Sequence, residues 1–176
     1  MSILSDWEIK ALSLGGELIY PFVDKVVSEQ KGKKILSYGL GSYGYDIRLS
    51  PKRCLIFGTP SRGDCDPKNF NPDILKESEL KEDENGEYFL LPPYGYCLCI
   101  AHERLKLPED ITVVPAGKSS YARTGIHCNI TPAEGGWEGY LTLQISNSTG
   151  LFNRIYANEG ITQLLFFRGK SCMVSY

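Results

Sequence analysis

The chain has 176 residues, 42% of them hydrophobic and 23% charged, with a formal net charge of -2. That is the profile of a globular protein with a real core, and its length predicts one domain spanning residues 1–176. So small a negative charge gives no long-range attraction to a polyanion, which speaks against a nucleic-acid partner, whereas a small phosphorylated ligand needs only a few cations.

The N-terminal segment from Met1 to Lys10 has no apolar run of the signal-peptide kind, and no stretch approaches the roughly 18 consecutive apolar residues of a membrane span. A cytoplasmic location without membrane association is the expectation. Ser5 followed by Glu8 is a capping-box signature, and Trp7, Ala11, Leu12 and Leu14 supply apolar positions before Gly15-Gly16 stops the run. These residues predict one short N-terminal helix. Lys31, Lys33 and Lys34 around Gly32 predict an exposed loop.

From Ile35 onward, short segments rich in Tyr, Ile, Leu, Val and Thr alternate with glycines and prolines at intervals of about 8 to 12 residues, the texture of a mainly β chain. Strands are predicted over 45–49, 54–57, 88–91, 96–103, 111–115, 140–146 and 160–167. The acidic, Pro/Asn-rich segment 64–86 reads as a surface excursion with one helical turn near 74–80. Leu141, Leu143 and Ile145 alternate with Thr142, Gln144 and Ser146, a strand with one face in the core and Gln144 on the other. Many short strands in a small chain predict a sandwich or barrel with Greek-key or jelly-roll connections.

Six cysteines (Cys54, Cys65, Cys97, Cys99, Cys128, Cys172) sit mostly among apolar residues and are expected as buried free thiols. His102 and His127 are the only histidines, Cys97-x-Cys99 lies in a strand, and no Cys-x-x-Cys or His-x-Glu signature exists, so no zinc site is expected. That sets the chain apart from the zinc nucleobase deaminases, which use His-x-Glu followed by Pro-Cys-x-x-Cys.

Three polar clusters could carry chemistry. Gly117-Lys118-Ser119-Ser120-Tyr121-Ala122-Arg123-Thr124-Gly125 joins two cations, two hydroxyls and flanking glycines, the donors a triphosphate needs. A helix beginning at Ser119 would add free backbone amides. By composition alone the same run reads equally well as a solvated turn with a helix cap. Asn129-Ile130-Thr131-Pro132-Ala133-Glu134-Gly135-Gly136-Trp137-Glu138-Gly139-Tyr140 suits a loop wrapping a sugar or base, though Trp137 taken alone reads as packing. Gly39-Leu40-Gly41-Ser42-Tyr43-Gly44-Tyr45-Asp46-Ile47-Arg48-Leu49 ends in Asp46 and Arg48 on one strand face, which reads as a structural ion pair.

Together with Ser37-Tyr38, Ser146-Asn147 and Tyr156-Ala157-Asn158-Glu159-Gly160-Ile161-Thr162-Gln163, these clusters resemble the dCTP deaminases of the dCTP deaminase and dUTPase superfamily, in order and with compatible spacing over most of the chain. The resemblance implies a distorted β-barrel or jelly roll of the dUTPase-like type. It implies zinc-free deamination of dCTP to dUTP in pyrimidine deoxynucleotide supply, with Mg²⁺ carried by the triphosphate. It also implies a homotrimer with sites between subunits, dCTP and dUTP as ligands, and dTTP as an inhibitor.

Mapped residue by residue, Lys118, Ser119 and Ser120 would hold phosphates, and Ser119 and Arg123 would position the attacking water. Glu134 would stand beside the deoxyribose with Trp137 next to it, and Gln163 and Tyr176 join the substrate-binding set. The family's catalytic glutamate falls at Gln144 in Thr142-Leu143-Gln144-Ile145-Ser146-Asn147, and an amide cannot shuttle the proton. The chain is therefore expected to be inactive or impaired. The resemblance also expects a Gly/Lys/Gln-rich arm over the triphosphate, and the sequence stops at Tyr176 without it. Two other readings remain open: a dUTPase-like diphosphohydrolase with Glu134 as its acid, and a dNTP-binding sensor without turnover.

Overall fold

Ser5 caps the first helix through the contact its sequence encodes: its backbone N–H donates to Glu8 Oε2 at 3.0 Å, and its hydroxyl lies 3.0 Å from the same oxygen. The computed structural model describes residues 2–58 and 65–176. In chain order these form β1 (Ser2–Ile3), α1 (Asp6–Leu14), β2 (Leu18–Tyr20), β3 (Val26–Gln30), β4 (Lys33–Gly41) and β5 (Gly44–Phe57). A 3₁₀ turn (Pro72–Ile74) leads into β6 (Leu75–Glu77), β7 (Lys81–Asp83), β8 (Gly86–Leu91), β9 (Tyr96–Lys106) and β10 (Ile111–Gly117). Then come α2 (Ser119–Ala122), β11 (Ile126–Asn129), β12 (Glu138–Asn147), β13 (Asn153–Tyr156) and β14 (Gly160–Arg168).

The mainly β, barrel-type expectation holds: one large antiparallel sheet curls into a half-barrel, and β13, β8 and β7 form a small second sheet. β5 joins the two parts of the large sheet. Its first half pairs with β14, placing Asp46 opposite Gln163, and its second half pairs with β9, placing Cys54 opposite Cys99. The register breaks between Leu49 and Cys54, a span that contains Pro51, which has no N–H to give a ladder.

β12 lies between β9 and β11, with Gln144 opposite Leu98 on one side and Asn129 on the other. Leu141, Leu143 and Ile145 are buried, and Gln144 is half-buried on the opposite face. Each such fully buried aliphatic side chain contributes about 1.5–3 kcal/mol. Pairing on both sides together with one apolar face fixes this strand's register, since a slip of one residue would drive Gln144 into the core.

Several local expectations are corrected. Lys31 and Gly32 turn the chain with positive φ, but Lys33 and Lys34 already belong to β4, which forms a hairpin with β3. The helical turn expected near 74–80 is a 3₁₀ turn ending at Ile74, where the Asn71 side chain accepts the Asp73 N–H at 2.9 Å. Beyond it, Leu75 to Glu77 pair with Phe57, Ile56 and Leu55 instead of coiling. Residue 64, the first of that excursion, lies outside the described residues. Cys54, Cys97 and Cys99 are buried as expected, Cys128 and Cys172 are half-buried, and Cys65 is exposed. Among the described residues, no helix is long and apolar enough to cross a membrane.

Candidate functional site

Gln144 opens onto a cavity of about 230 Å³ whose walls include Thr131, Trp137, Tyr140, Thr142 and Tyr176. The loop before β12 builds most of it. The Trp137 N–H donates to the Glu134 carbonyl at 3.1 Å, closing a turn through Gly135 and Gly136. Gly135 has no room for a side chain, because a Cβ there would lie 2.5 Å from the Glu109 carbonyl oxygen. Gly136 has φ 86°, a left-handed conformation that favours glycine. Glu134 is exposed on this turn and Trp137 is half-buried against the core. The chain's last residues cross the same turn: the Tyr176 N–H donates to the Gly135 carbonyl at 3.2 Å, which carries the Tyr176 side chain to the cavity.

The cationic turn lies on the element preceding β11. Ser119 does begin a short helix, with Lys118 at its N-cap and Arg123 at its C-cap. Tyr121 anchors it from below, buried, with its hydroxyl accepting the Tyr156 N–H at 2.8 Å. Burial pushes that phenol well above its ordinary range. Ser119, Ser120 and Arg123 are exposed, and Arg123 makes no ion pair among the described residues. Gly125 follows with φ 76°, and a Cβ there would meet Thr149 Cγ2 at 2.3 Å, so glycine is required where the chain turns into β11.

Among the described residues, Lys118 is the one cation of this turn with a side-chain partner. Its ammonium lies 2.5 Å from Asp46 Oδ2 and 3.1 Å from Ser37 Oγ, tying α2 to β4 and β5. Gln163 is half-buried on β14, opposite both Asp46 and Ala116. The expected Asp46–Arg48 pair does not form. Arg48 pairs with Glu103 at 2.6 Å, and Glu103 is fully buried. Asp46 and Arg48 share a strand face, but opposite charges on neighbouring strands lie nearer than two residues on one strand.

The residues singled out from sequence therefore fall into two groups within one chain. Gln144, Trp137 and Tyr176 share a cavity, with Glu134 on its rim loop. Lys118, Ser119, Ser120 and Arg123 form a separate turn, with Gln163 on the strand beside it, and none of these five is among the residues walling the Gln144 cavity. A larger cavity, about 600 Å³, opens between Lys31, Tyr38, Arg48, Glu87 and Glu159 and holds none of them.

Sequence reasoning missed Ser37 and Asp46 as the partners of Lys118, and Thr142 as a cavity wall, whereas Thr131 and Tyr140 stood in the run expected to wrap a sugar or base. Ser37 stood in the motifs that carry the resemblance, and Asp46 was read there as one half of an ion pair, but with Arg48 as its partner instead of Lys118. It also missed that β5 and β9 gather Cys54, Cys97 and Cys99 within 4.8 Å of one another. Cys97-x-Cys99 announces a shared strand face, but nothing local announces Cys54.

Comparisons with known proteins show the family of the chain. A family model described as dCTP deaminase-like matches residues 3–169. The dCTP deaminase of Protochlamydia amoebophila is 45% identical over 177 residues, covering 100% of this chain and 90% of its own length. That of Anaplasma phagocytophilum is 44% identical with the same coverage. Among solved structures, the 2'-deoxycytidine 5'-triphosphate deaminase of Agrobacterium tumefaciens superposes with a TM-score of 0.65 at 21% identity, over 95% of this chain. The chain spans about half of that solved chain, 48%, and at this identity the likeness speaks for the fold alone.

Proposed function

The chain belongs to the dCTP deaminase-like family, and from that premise we propose that it binds dCTP in a site built for hydrolytic, zinc-free deamination to dUTP and ammonia, with turnover blocked or strongly reduced by Gln144. Such an activity supplies deoxyuridine nucleotides for dUMP and dTTP synthesis, and dTTP is the expected feedback inhibitor. The carrying observation is the placement of Gln144 on the cavity face of β12, level with Trp137 and Tyr176. A carboxylate at that point would take a proton from water and return it to N3 or to the departing ammonia, whereas an amide holds the ring without accepting the proton.

The remaining roles follow from charge and reach. Lys118, Ser119 and Ser120 grip the phosphates, and Asp46 and Ser37 hold the Lys118 ammonium on the sheet. Ser119 and Arg123 orient the attacking water near C4 of cytosine. Glu134 meets the deoxyribose hydroxyl, Trp137 covers the sugar, and Gln163 and Tyr176 complete the contacts. Mg²⁺ would enter on the triphosphate. Asp46, the carboxylate that reaches this turn, is engaged by Lys118, and the residues there are cations and hydroxyls, which suit phosphate oxygens better than a bare metal ion.

The two groups of site residues sit apart within one chain, which supports a homotrimer in which the cationic turn of one subunit completes the Gln144 cavity of another. A monomer by light scattering would remove the shared site. The test of the chemistry is to incubate the chain and its Gln144→Glu variant with dCTP and with dUTP in Mg²⁺, resolving products by ion exchange. The expected result is dUTP from dCTP with the variant and little or none with the chain itself. Release of pyrophosphate and a monophosphate would assign diphosphohydrolase chemistry with Glu134 as the acid, and binding without product from either form would assign a sensor.

A further inference from the structure

The core of the half-barrel contains a group that deamination does not use. Cys97 and Cys99 stand two residues apart on β9 and so share its inner face, and Cys54 on β5 is the direct cross-strand neighbour of Cys99. All three are buried, with accessibilities of 0% for Cys54 and Cys97 and 1% for Cys99. The Cys97 and Cys99 sulfurs lie 3.7 Å apart, and the three sulfurs are within 4.8 Å of one another.

We propose that Cys54, Cys97 and Cys99 form a trithiolate site for a single soft metal ion, with Cu(I) the first-row ion it fits. A metal bound at about 2.3 Å to three sulfurs in a trigonal plane requires those sulfurs about 4.0 Å apart, and here one pair stands at 3.7 Å and all three lie within 4.8 Å. Zn²⁺ in a closed protein site takes four ligands in a tetrahedron, and no other histidine, cysteine or carboxylate among the described residues joins this group. Thiolate ligands and low coordination in the apolar core select Cu(I) over harder ions. Binding displaces the thiol protons and leaves copper in the +1 state throughout, so no redox step is involved.

The placement matters for the rest of the molecule. Leu98, between the two β9 cysteines, is the register partner of Gln144, so the thiols lie on the inner face of the strand pair whose outer face carries the cavity. An ion there would tie β5 to β9 beneath the proposed site.

The test uses the full reduced chain under anaerobic conditions, titrated with Cu(I) against a chromophoric Cu(I) chelator. One equivalent should be withdrawn from the chelator, and X-ray absorption of the loaded protein should show three sulfur neighbours. Cys54→Val should weaken binding at least tenfold, while the Cys65→Ser/Cys172→Ser double variant should bind like the parent. Failure to withdraw copper, fewer than three sulfur neighbours, or loss of binding in the Cys65/Cys172 variant would overturn the site. If Cys54→Val does not fold, the sulfur count and the Cys65/Cys172 variant still decide. The outcome is independent of whether the Gln144→Glu variant deaminates dCTP.

Discussion

Lys118 on the cationic turn and Asp46 on the central strand β5 are locked together, ammonium to carboxylate, at 2.5 Å, with side-chain exposures of only 11% and 17%. So little water reaches the pair that removing one partner leaves a nearly buried charge alone. Lys118→Met should cost about 3 kcal/mol of stability. Adding Asp46→Asn to that variant should restore most of the loss. Urea unfolding of both forms checks this through a midpoint shift at constant slope, and a double variant no more stable than Lys118→Met would remove Asp46 as the partner.

Restoring the carboxylate with Gln144→Glu should raise kcat for dCTP by about 10²- to 10⁴-fold, the usual contribution of a positioned acid or base. The dissociation constant for dCTP should change far less, because glutamine and glutamate have the same shape. Single-turnover rates beside equilibrium binding separate the two effects.

In that active variant, Arg123→Ala should lower kcat more than it raises KM, because Arg123 is exposed, forms no ion pair among the described residues and is assigned to the reacting water. Equal changes in both would make Arg123 a phosphate clamp.

Glu103 is fully buried against Arg48, accepting the Arg48 backbone N–H at 2.8 Å and its side chain at 2.6 Å. Glu103→Ala should cost about 3–5 kcal/mol by stranding the arginine. Burial raises the Glu103 carboxyl above its ordinary value of 4.5, and the Arg48 charge and hydrogen bonds pull it back only in part. The folded state therefore binds this proton more tightly than the unfolded chain does. The group's contribution to stability is fully present below about pH 4.5 and is lost as pH rises through its raised value. Glu103→Gln should flatten that part of the curve of melting temperature against pH, and an unchanged slope would show that Glu103 is not its source.

Gly136 turns with φ 86°, and a Cβ there would lie 1.9 Å from Ser175 Oγ. Gly136→Ala should cost about 1 kcal/mol or more and lift the last residues away from the loop. Hydrogen exchange reads this directly, since the Tyr176 N–H loses its bond to the Gly135 carbonyl and should exchange faster.

What could be read along the chain was whatever depends on near neighbours. The capping box at Ser5 and Glu8 spans three residues, and the burial of Leu141, Leu143 and Ile145 with Gln144 turned outward is written in a period of two. The hairpin of β3 and β4 escaped notice because β3, which among the described residues pairs on one side only, is mostly exposed, so its Ser, Glu and Gln show no apolar alternation. The motifs around Lys118, Trp137 and Gln144 were visible as residue types, and their resemblance to a known family located the candidate site.

Tertiary structure alone decided the pairings. Lys118 meets Asp46 across 72 residues of chain, Arg48 turns to Glu103 across 55, and Cys54 joins Cys97 and Cys99 from another strand. Strand register sets each of these contacts, and register is a property of the whole sheet: it comes from the summed burial of every apolar face, which no local stretch of sequence contains.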